Sequence, residues 1–248
     1  MSVLITGGTK GIGLAIARRL APIHGRVALA YHSDEAAAQA AKAQIAATGA
    51  EVQLVRGDVG TIEGAAALIA EVEAQGHGLA HIVHAAAMIY PTTLLSADLA
   101  HFRQAMETNG LSLLYLVHAA QNLLGEGSSV VFITSTGSRI PLANYAALGV
   151  GKAMSEAIVR YLVAELAPRG IRINSVAPGL VHTTSVAAMV GSEATAAAVV
   201  ERAAHANPSG RASRDSDYAS LVEYLLSPDA AFIQGQVIGA TGGASVIG

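Results

Sequence analysis

The feature that most limits what this chain can become lies at its start. Val3-Leu4-Ile5 is a short apolar strand, followed by Thr6-Gly7-Gly8-Thr9-Lys10-Gly11-Ile12-Gly13 and an amphipathic helix through Leu20. Strand, glycine-rich turn and helix together make a cradle for phosphate. Glycines allow close approach to the backbone, and the helix start offers unpaired N–H groups and a positive dipole end. The spacing of Gly7, Gly11 and Gly13 is TGxxxGxG rather than GxGxxG. It sits at the first strand–helix junction, where a dinucleotide-binding fold needs it. A lone glycine-rich turn is weak evidence, and an ordinary surface turn is the lesser competing reading.

Apolar runs and helical stretches alternate to the end of the chain. Residues 26–31, 52–55, 80–86, 130–133, 171–176 and 236–238 read as further strands. Residues 33–48 read as a helix capped by Ser33 and ended by Gly49, and 62–74 as the next helix. Residues 99–124 read as one long or two abutting helices, followed by helices at 146–166 and 215–226. The segment 180–206 is alanine-rich with no clear strand. This alternation predicts an α/β, Rossmann-type, doubly wound parallel sheet of about seven strands with helices on both faces. At 248 residues and 52% hydrophobic, with no linker-like shift or repeat, the chain is expected to be one domain over 1–248.

The same composition removes several functions. There is no cysteine, hence no disulfide, thiolate nucleophile or cysteine-ligated metal. A net charge of −3 gives no reason to expect nucleic acid. The nine histidines are scattered; His81 and His84 fall on opposite faces of one strand, so no metal is expected and each histidine reads as surface or locally hydrogen-bonded. With no charged leader or long apolar segment, a cytoplasmic protein without membrane attachment is expected.

Chemistry concentrates after the strand at 130–133. Ser135-Thr136-Gly137-Ser138-Arg139-Ile140-Pro141-Leu142-Ala143-Asn144-Tyr145 leads into a helix, with Pro141 suited to a first helical turn, and Lys152 follows. Seven positions on a helix bring side chains back to within about 20° of one face, so Tyr145 and Lys152 can look into one cleft. A phenol can donate a proton or stabilise an oxyanion, and a nearby ammonium makes its ionised form easier to reach. A half-buried tyrosine and a solvated lysine is the competing reading. Ser135 could donate to a substrate or orient the tyrosine, or simply bond to backbone as a strand-end serine.

With these motifs in hand, the chain resembles the short-chain dehydrogenase/reductase family from Ser2 to Gly243. Thr6–Gly13 resembles its cofactor loop, here Gly7, Thr9, Lys10, Gly11, Ile12 and Gly13, and Asp58-Val59 its adenine-contacting pair. Asn109 matches its mid-helix asparagine, Ser135 its strand-five serine and Lys152 its catalytic lysine, which also holds the nicotinamide ribose. Pro178-Gly179, with Val181 and Thr183, resembles the motif that holds the nicotinamide. Asn207-Pro208-Ser209-Gly210-Arg211 and Gly242-Gly243 resemble C-terminal landmarks. The family's strand-four NNAG stands here as His84-Ala85-Ala86-Ala87, which removes side-chain amides while leaving Ala85 and Ala86 at the cofactor. Asn109 could support a lysine–water chain or only a helix kink.

Most members carry the tyrosine four residues before the lysine, where this chain has Leu148. The Tyr145-x6-Lys152 spacing, the run Asn144 to Lys152 and Arg160-Tyr161-Leu162 are similar to the enoyl-acyl-carrier-protein reductase branch, especially its NADPH-linked members. Bond lengths offer a reason. Hydride delivered to C3 of an enoyl thioester puts charge on an oxygen roughly 3–4 Å away, against about 1.2 Å for a ketone. Three helical residues move the phenol's anchor by about 4.5 Å.

The resemblance therefore implies reduction of the C2–C3 double bond of an enoyl thioester, carried on coenzyme A or an acyl carrier protein. Tyr145 would stabilise the enolate, with Lys152, Ser135 and Asn109 in support. A carbonyl reductase of the same family, acting on a 3-oxoacyl thioester or a secondary-metabolite ketone, and a noncatalytic cofactor-binding protein are the alternatives. Retention of both Tyr145 and Lys152 counts against the last. At the second strand's end, Tyr31-His32-Ser33 lacks the acidic residue typical of NAD users, and Asp34 is expected inside the following helix. Lys10, His32 and Ser33 could accept a 2′-phosphate, so NADPH is expected over NADH. The family also implies a substrate lid at about 184–206 and a homotetramer packed through the long helices.

Overall fold

Alternate burial along each strand dictates the layers. In β1 (Ser2–Thr6), Val3 and Ile5 face one side and Leu4 the other; in β2 (Arg26–Tyr31), Val27 and Leu29 oppose Ala28 and Ala30. Strands buried on both faces need helices above and below. The computed structural model, which describes residues 2–245, has this arrangement. Met1 and residues 246–248, the ends of the expected single domain, lie outside the described residues. The remaining strands are β3 (Glu51–Arg56), β4 (Leu79–His84), β5 (Ser129–Ile133), β6 (Arg172–Pro178) and β7 (Val237–Ala240). They form one seven-stranded sheet in the order β3-β2-β1-β4-β5-β6-β7, and every pairing in it is parallel.

The helices are α1 (Gly11–His24), α2 (Glu35–Ala46), α3 (Ile62–Ala74), α4 (Leu99–Met106), α5 (Ser112–Ala120), α6 (Ala146–Leu166), α7 (Thr184–Val190), α8 (Glu193–Ala206) and α9 (Asp215–Leu226). One core joins α1, α2 and α9 to the face bearing Val3, Ile5, Val131 and Ile133. The other joins α3, α5 and α6 to Leu4, Ile82, Val130 and Phe132. Each fully buried Ile, Leu or Phe contributes about 1.5–3 kcal/mol relative to exposure. Among the described residues no helix is long and apolar enough to cross a membrane.

After β3 the chain crosses to the other side of β1 to form β4. The helix after β1 therefore packs on one face of the sheet and α5, after β4, on the other, and a crevice opens outside the carboxyl ends of the strands. Everything proposed as functional lies on that edge.

Several local expectations need correction. Helix α2 is capped by Asp34, not Ser33: the Asp34 carboxylate accepts from Ala37 N at 3.0 Å, so Asp34 stands outside the helix. Helix α1 runs past Leu20 to His24, where Gly25 at φ +69° ends it; Pro22 sits in the last turn, where a missing N–H removes one bond only. Strand β4 stops at His84, while β6 continues to Pro178. Pro141 lies in the loop before α6, not in its first turn. Of the two readings of 99–124, the structure takes two abutting helices, α4 and α5, joined by a π turn, Glu107–Leu111, with α5 ending at Ala120. The alanine-rich stretch forms two helices, separated at Gly191 with φ +93°.

Candidate active site

Tyr145 is the N-cap of α6, and the loop leading to it is tightly held. Thr92 N donates to Asn144 O at 2.9 Å, and Ala146 N donates back to Thr92 O at 3.3 Å. Asn144 takes φ +56°, a left-handed conformation that asparagine tolerates better than most side chains. Held in this way, the Tyr145 hydroxyl reaches Ser135 Oγ at 3.0 Å. Burial raises the phenol above its ordinary 10, partly offset by the bond to Ser135, so it is a neutral proton donor near pH 7. Ser135 follows β5 and its Oγ also accepts from Gly137 N at 3.1 Å. With Gly137 N–H fixed on that oxygen, the Ser135–Tyr145 pair retains one hydroxyl proton for an oxygen in the cleft.

Two turns along α6, Lys152 is almost fully buried, not solvated. Its Nζ donates to Ile133 O at 2.8 Å and stands 4.4 Å from the centre of the Phe132 ring. Burial lowers the ammonium to about 7. Backbone carbonyl and ring face support the charged form only in part, so this lysine can gain or lose a proton near neutrality. Leu148, at the position four before Lys152, is buried in its own right.

Asn109 lies in the π turn, with both ends of its amide bonded to Met88: Oδ1 accepts from Met88 N at 2.8 Å and Nδ2 donates to Met88 O at 2.9 Å. Helix α6 comes so close that a Cβ on Gly151 would sit 2.5 Å from Asn109 Cβ. The asparagine thus ties the loop after β4 to the kink between α4 and α5. Ser135, Tyr145, Lys152 and Asn109 all gather at this end of α6.

The glycine turn has the clearances of a seat for a dinucleotide. Gly7 at φ +63° and Gly11 at φ +51° need glycine, and a Cβ on Gly13 would lie 2.2 Å from Gly7 O. Lys10 gives α1 no side-chain cap, which leaves the first-turn N–H groups at Gly11, Ile12 and Gly13 for an anion. Thr9 is buried beside them. A Cβ on Gly7 would meet Ala86 Cα at 2.9 Å, while Ala85 N donates to Thr6 O at 3.1 Å, so the two loops abut. Pro178 ends β6, Gly179 N donates to Ala240 O at 2.8 Å, Val181 is buried, and Thr183 caps α7 through Val186 N at 3.2 Å. Ser213 Oγ, next to Gly179, is buried with no partner among the described residues. Open helix N–H groups, glycine-only clearances and an orphaned hydroxyl all fit a bound nicotinamide dinucleotide.

At the far end of this seat, Asp58 Oδ1 accepts from Gly60 N at 2.9 Å and faces His32 Nδ1 at 3.7 Å; Val59 is in the core. Tyr31 bonds the Glu35 carboxylate. Ser33 is exposed. Lys10 Nζ is paired with Asp34 at 2.7 Å, so the basic residue expected to face a 2′-phosphate already has an anionic partner.

Three functional neighbours escaped the sequence. Arg56 donates to His32 O at 3.2 Å and adds a cation at the Lys10–His32 edge; equal pairing of β2 with β3, Tyr31 opposite Arg56, could have found it. Glu156 is buried under Ser135, accepting from Thr134 Oγ1 at 2.7 Å, Ser138 Oγ at 2.6 Å and Arg139 Nε at 3.2 Å. Its place one turn past Lys152 was the available signal. His84, read as surface or locally bonded, is fully buried between Thr6 Oγ1 at 2.6 Å and Ser112 Oγ at 2.7 Å. Since Ser112 gives its only proton to Thr108 O at 2.6 Å, it accepts from His84 Nε2–H, and Nδ1 accepts from Thr6. Burial, and to a lesser degree Lys152, lowers this imidazole to about 3.

Beside Tyr145 an open, mainly apolar groove of about 320 Å³ runs past Leu94, Leu95, Leu142 and Ala143. Leu94 and Leu95, in the loop after β4, are exposed, Leu95 fully and Leu94 in large part.

The chain is similar to known reductases over nearly its whole length. A family profile described as Enoyl-(Acyl carrier protein) reductase matches residues 7–245. A 1-cyclohexenylcarbonyl-CoA reductase from Streptomyces collinus is 31% identical over 246 residues, covering 98% of this chain and 86% of that protein. The crystal structure of a short chain dehydrogenase from Burkholderia cenocepacia in complex with NADP aligns with a TM-score of 0.88 at 28% identity, over 98% of this chain and 97% of that one. The structure of a promiscuous reductase, LugOII, that catalyses keto-reduction in lugdunomycin biosynthesis aligns with a TM-score of 0.89 at 28% identity, over 99% and 98%.

Proposed function

Since the chain belongs to the short-chain dehydrogenase/reductase family and is an oxidoreductase of that kind, we propose that it reduces the C2–C3 double bond of an enoyl thioester with NADPH. The observation that carries this reading is the hydrogen-bonded pair of Tyr145 and Ser135 at the mouth of α6, seven residues ahead of Lys152, with Leu148 buried at the nearer position. Gly7, Lys10 to Gly13, Asp58, Val59, Ala85, Ala86, Pro178, Gly179, Val181 and Thr183 would hold the dinucleotide, which when bound would supply hydride. Tyr145 and Ser135 together direct one proton at the thioester oxygen, where charge gathers as C3 is reduced. Donors already in place at that point act as an oxyanion hole, each worth about 2.7–4 kcal/mol of barrier. Lys152 adds positive potential and offers its remaining N–H groups to the ribose.

The substrate class has further support. The Streptomyces collinus relative is named for an alkene conjugated to a coenzyme A thioester. The apolar groove at Leu94, Leu95 and Leu142, flanking Tyr145 through Asn144 and Ala146, suits an acyl tail; α7 and α8 are taken as the substrate lid on the family resemblance alone. NADPH is favoured over NADH because Arg56 bonds the His32 carbonyl at the end of β2, and Lys10, paired with Asp34 just beyond it, adds a second cation that would meet a 2′-phosphate. Exposed Leu114, Val150 and Tyr161 on α5 and α6 suit a homotetramer packed through those helices.

A carbonyl reductase is the second reading, favoured by the same 3.0 Å Ser135–Tyr145 bond, since a serine–tyrosine pair can equally polarise a ketone. NADPH oxidation with crotonyl-coenzyme A against acetoacetyl-coenzyme A separates the two. Turnover of the crotonyl thioester is expected; turnover of acetoacetyl-coenzyme A alone would replace enoyl reduction by carbonyl reduction.

A further inference from the structure

Gly137 and Gly149 flank the place where the Tyr145 ring lies, and neither has a backbone reason to be glycine. Both lie outside the left-handed region, and Gly149 is inside a helix, where glycine is a weak choice. Space accounts for both. A Cβ on Gly137 would stand 2.5 Å from Tyr145 Cε1 and 2.6 Å from Cδ1, far inside the about 3.5–4.0 Å of an ordinary carbon contact. A Cβ on Gly149 would stand 2.5 Å from the Gly137 carbonyl oxygen and 3.5 Å from Tyr145 Cδ1. The first turn of α6, the 3₁₀ turn Thr136–Ser138 and the phenol ring are therefore stacked with no side chain between them.

We propose that Gly137 is a positioning residue whose missing side chain sets the place of the Tyr145 ring, and that Gly149 holds the Gly137 turn close enough to do so. This inference rests on the reading of Tyr145 as donor to the substrate oxygen. The Gly137 backbone acts twice: its N–H bonds Ser135 Oγ at 3.1 Å, and its bare α-carbon bears the ring whose hydroxyl meets that same oxygen at 3.0 Å. A methyl group here forces the ring to move by about 1 Å to regain normal contact. A displacement of that size at a reacting group costs about 100-fold in rate. Leu148 offers no substitute donor. The proton donor can precede Lys152 by seven residues because position 137 carries nothing that competes for the space.

The test uses Gly137→Ala, Tyr145→Phe, Tyr145→Ala and their pairs in the full chain, with crotonyl-coenzyme A turnover and thermal melting as readouts. Gly137→Ala is expected to lower kcat about 100-fold with the KM for NADPH nearly unchanged. The same change is expected to add nothing in the Tyr145→Phe background, because a displaced ring without its hydroxyl has no more catalysis to lose. In melting, most of the loss of Tm from Gly137→Ala should disappear in the Tyr145→Ala background, where the ring is gone and only Leu142 Cδ1, at 3.3 Å, still crowds the methyl group. Parent-like turnover of Gly137→Ala, a kcat loss that persists with Tyr145→Phe, or a Tm loss that mostly persists with Tyr145→Ala overturns the proposal. If Gly137→Ala alone does not fold, the pair with Tyr145→Ala decides: recovery of folding supports the ring seat, and failure refutes it. Unimpaired turnover of Tyr145→Phe would instead remove Tyr145 from the chemistry, while the melting comparison still reports on the seat.

Discussion

Replacing Glu156 by alanine should loosen the catalytic loop from below. The carboxylate is buried, 4% exposed, and holds three donors that bracket Ser135: Thr134 Oγ1, Ser138 Oγ and Arg139 Nε. Thr134 is also 4% exposed, so its hydroxyl would be left without a partner or water, at a cost of about 1–3 kcal/mol. Ser138 shares its one hydroxyl proton between Glu156 and Ser135 O, can give it wholly to Ser135 O at 2.7 Å, and loses little. Arg139 is 42% exposed, so screening limits that ion pair to about 0–1 kcal/mol. Adding the small cavity left behind, Glu156→Ala should cost about 2–4 kcal/mol, or about 5–15 °C in Tm for a chain of this size. Glu156→Gln retains an acceptor for Thr134 and Ser138 and loses only the charge, so about 1 kcal/mol is expected. With Ser135 less firmly held, kcat for Glu156→Ala should fall about tenfold or more while the KM for NADPH holds. Thermal melting and steady-state kinetics on both variants check this. An alanine variant that melts within about 1 °C of the parent, or a glutamine variant as damaged as the alanine one, would refute the clamp.

Asp34→Asn should preserve the α2 cap, since asparagine caps about as well as aspartate, and release Lys10 from its 2.7 Å pair. The KM for NADPH should fall about two- to fivefold with that for NADH unchanged; equal improvement for both would show that Lys10 does not face the 2′ group. Lys152, lowered by burial to about 7 from its ordinary 10.5, should make kcat/KM decline as pH rises through about 7, and a flat profile across pH 6–9 would contradict a role for its charge. The unfolded lysine keeps its proton up to 10.5 while the folded one releases it above about 7, so stability should rise with pH across that window, a trend absent in Lys152→Met. His84 works at acid pH: the folded ring stays neutral down to about 3 while the unfolded ring charges below 6.5, so stability is lost as pH falls between these values. Urea midpoints for the parent and His84→Gln should converge on going from pH 7 to pH 4, and parallel curves would contradict this account.

Local signals reach as far as local forces do. Strand alternation and the glycine turn placed the layers and the phosphate seat, and α3, α6 and α9 fall on residues 62–74, 146–166 and 215–226 as read from periodicity. Such elements follow from side chains a few positions apart, where burial of one face outweighs everything else. The seven-residue interval between Tyr145 and Lys152 was likewise legible, because helix geometry converts spacing into direction.

Other features needed the folded chain. Asp34, not Ser33, caps α2, since Asp34 must also meet Lys10 from 24 residues away. The helix over 99–124 breaks at a π turn because Asn109 is fastened to Met88, and no local propensity encodes that bond. His84 is a buried connector because Thr6, 78 residues distant, and Ser112 close on it from two elements. Glu156 becomes the floor of the site, and Gly137 the bare surface under the phenol, only when β5, its loop and α6 are stacked. The sequence by itself determined the alternation of strands and helices, and it singled out the glycine turn and the residues able to donate a proton. The tertiary structure decided which of those residues share an oxygen, a charge or a ring face, because such contacts depend on distances that chain spacing does not specify.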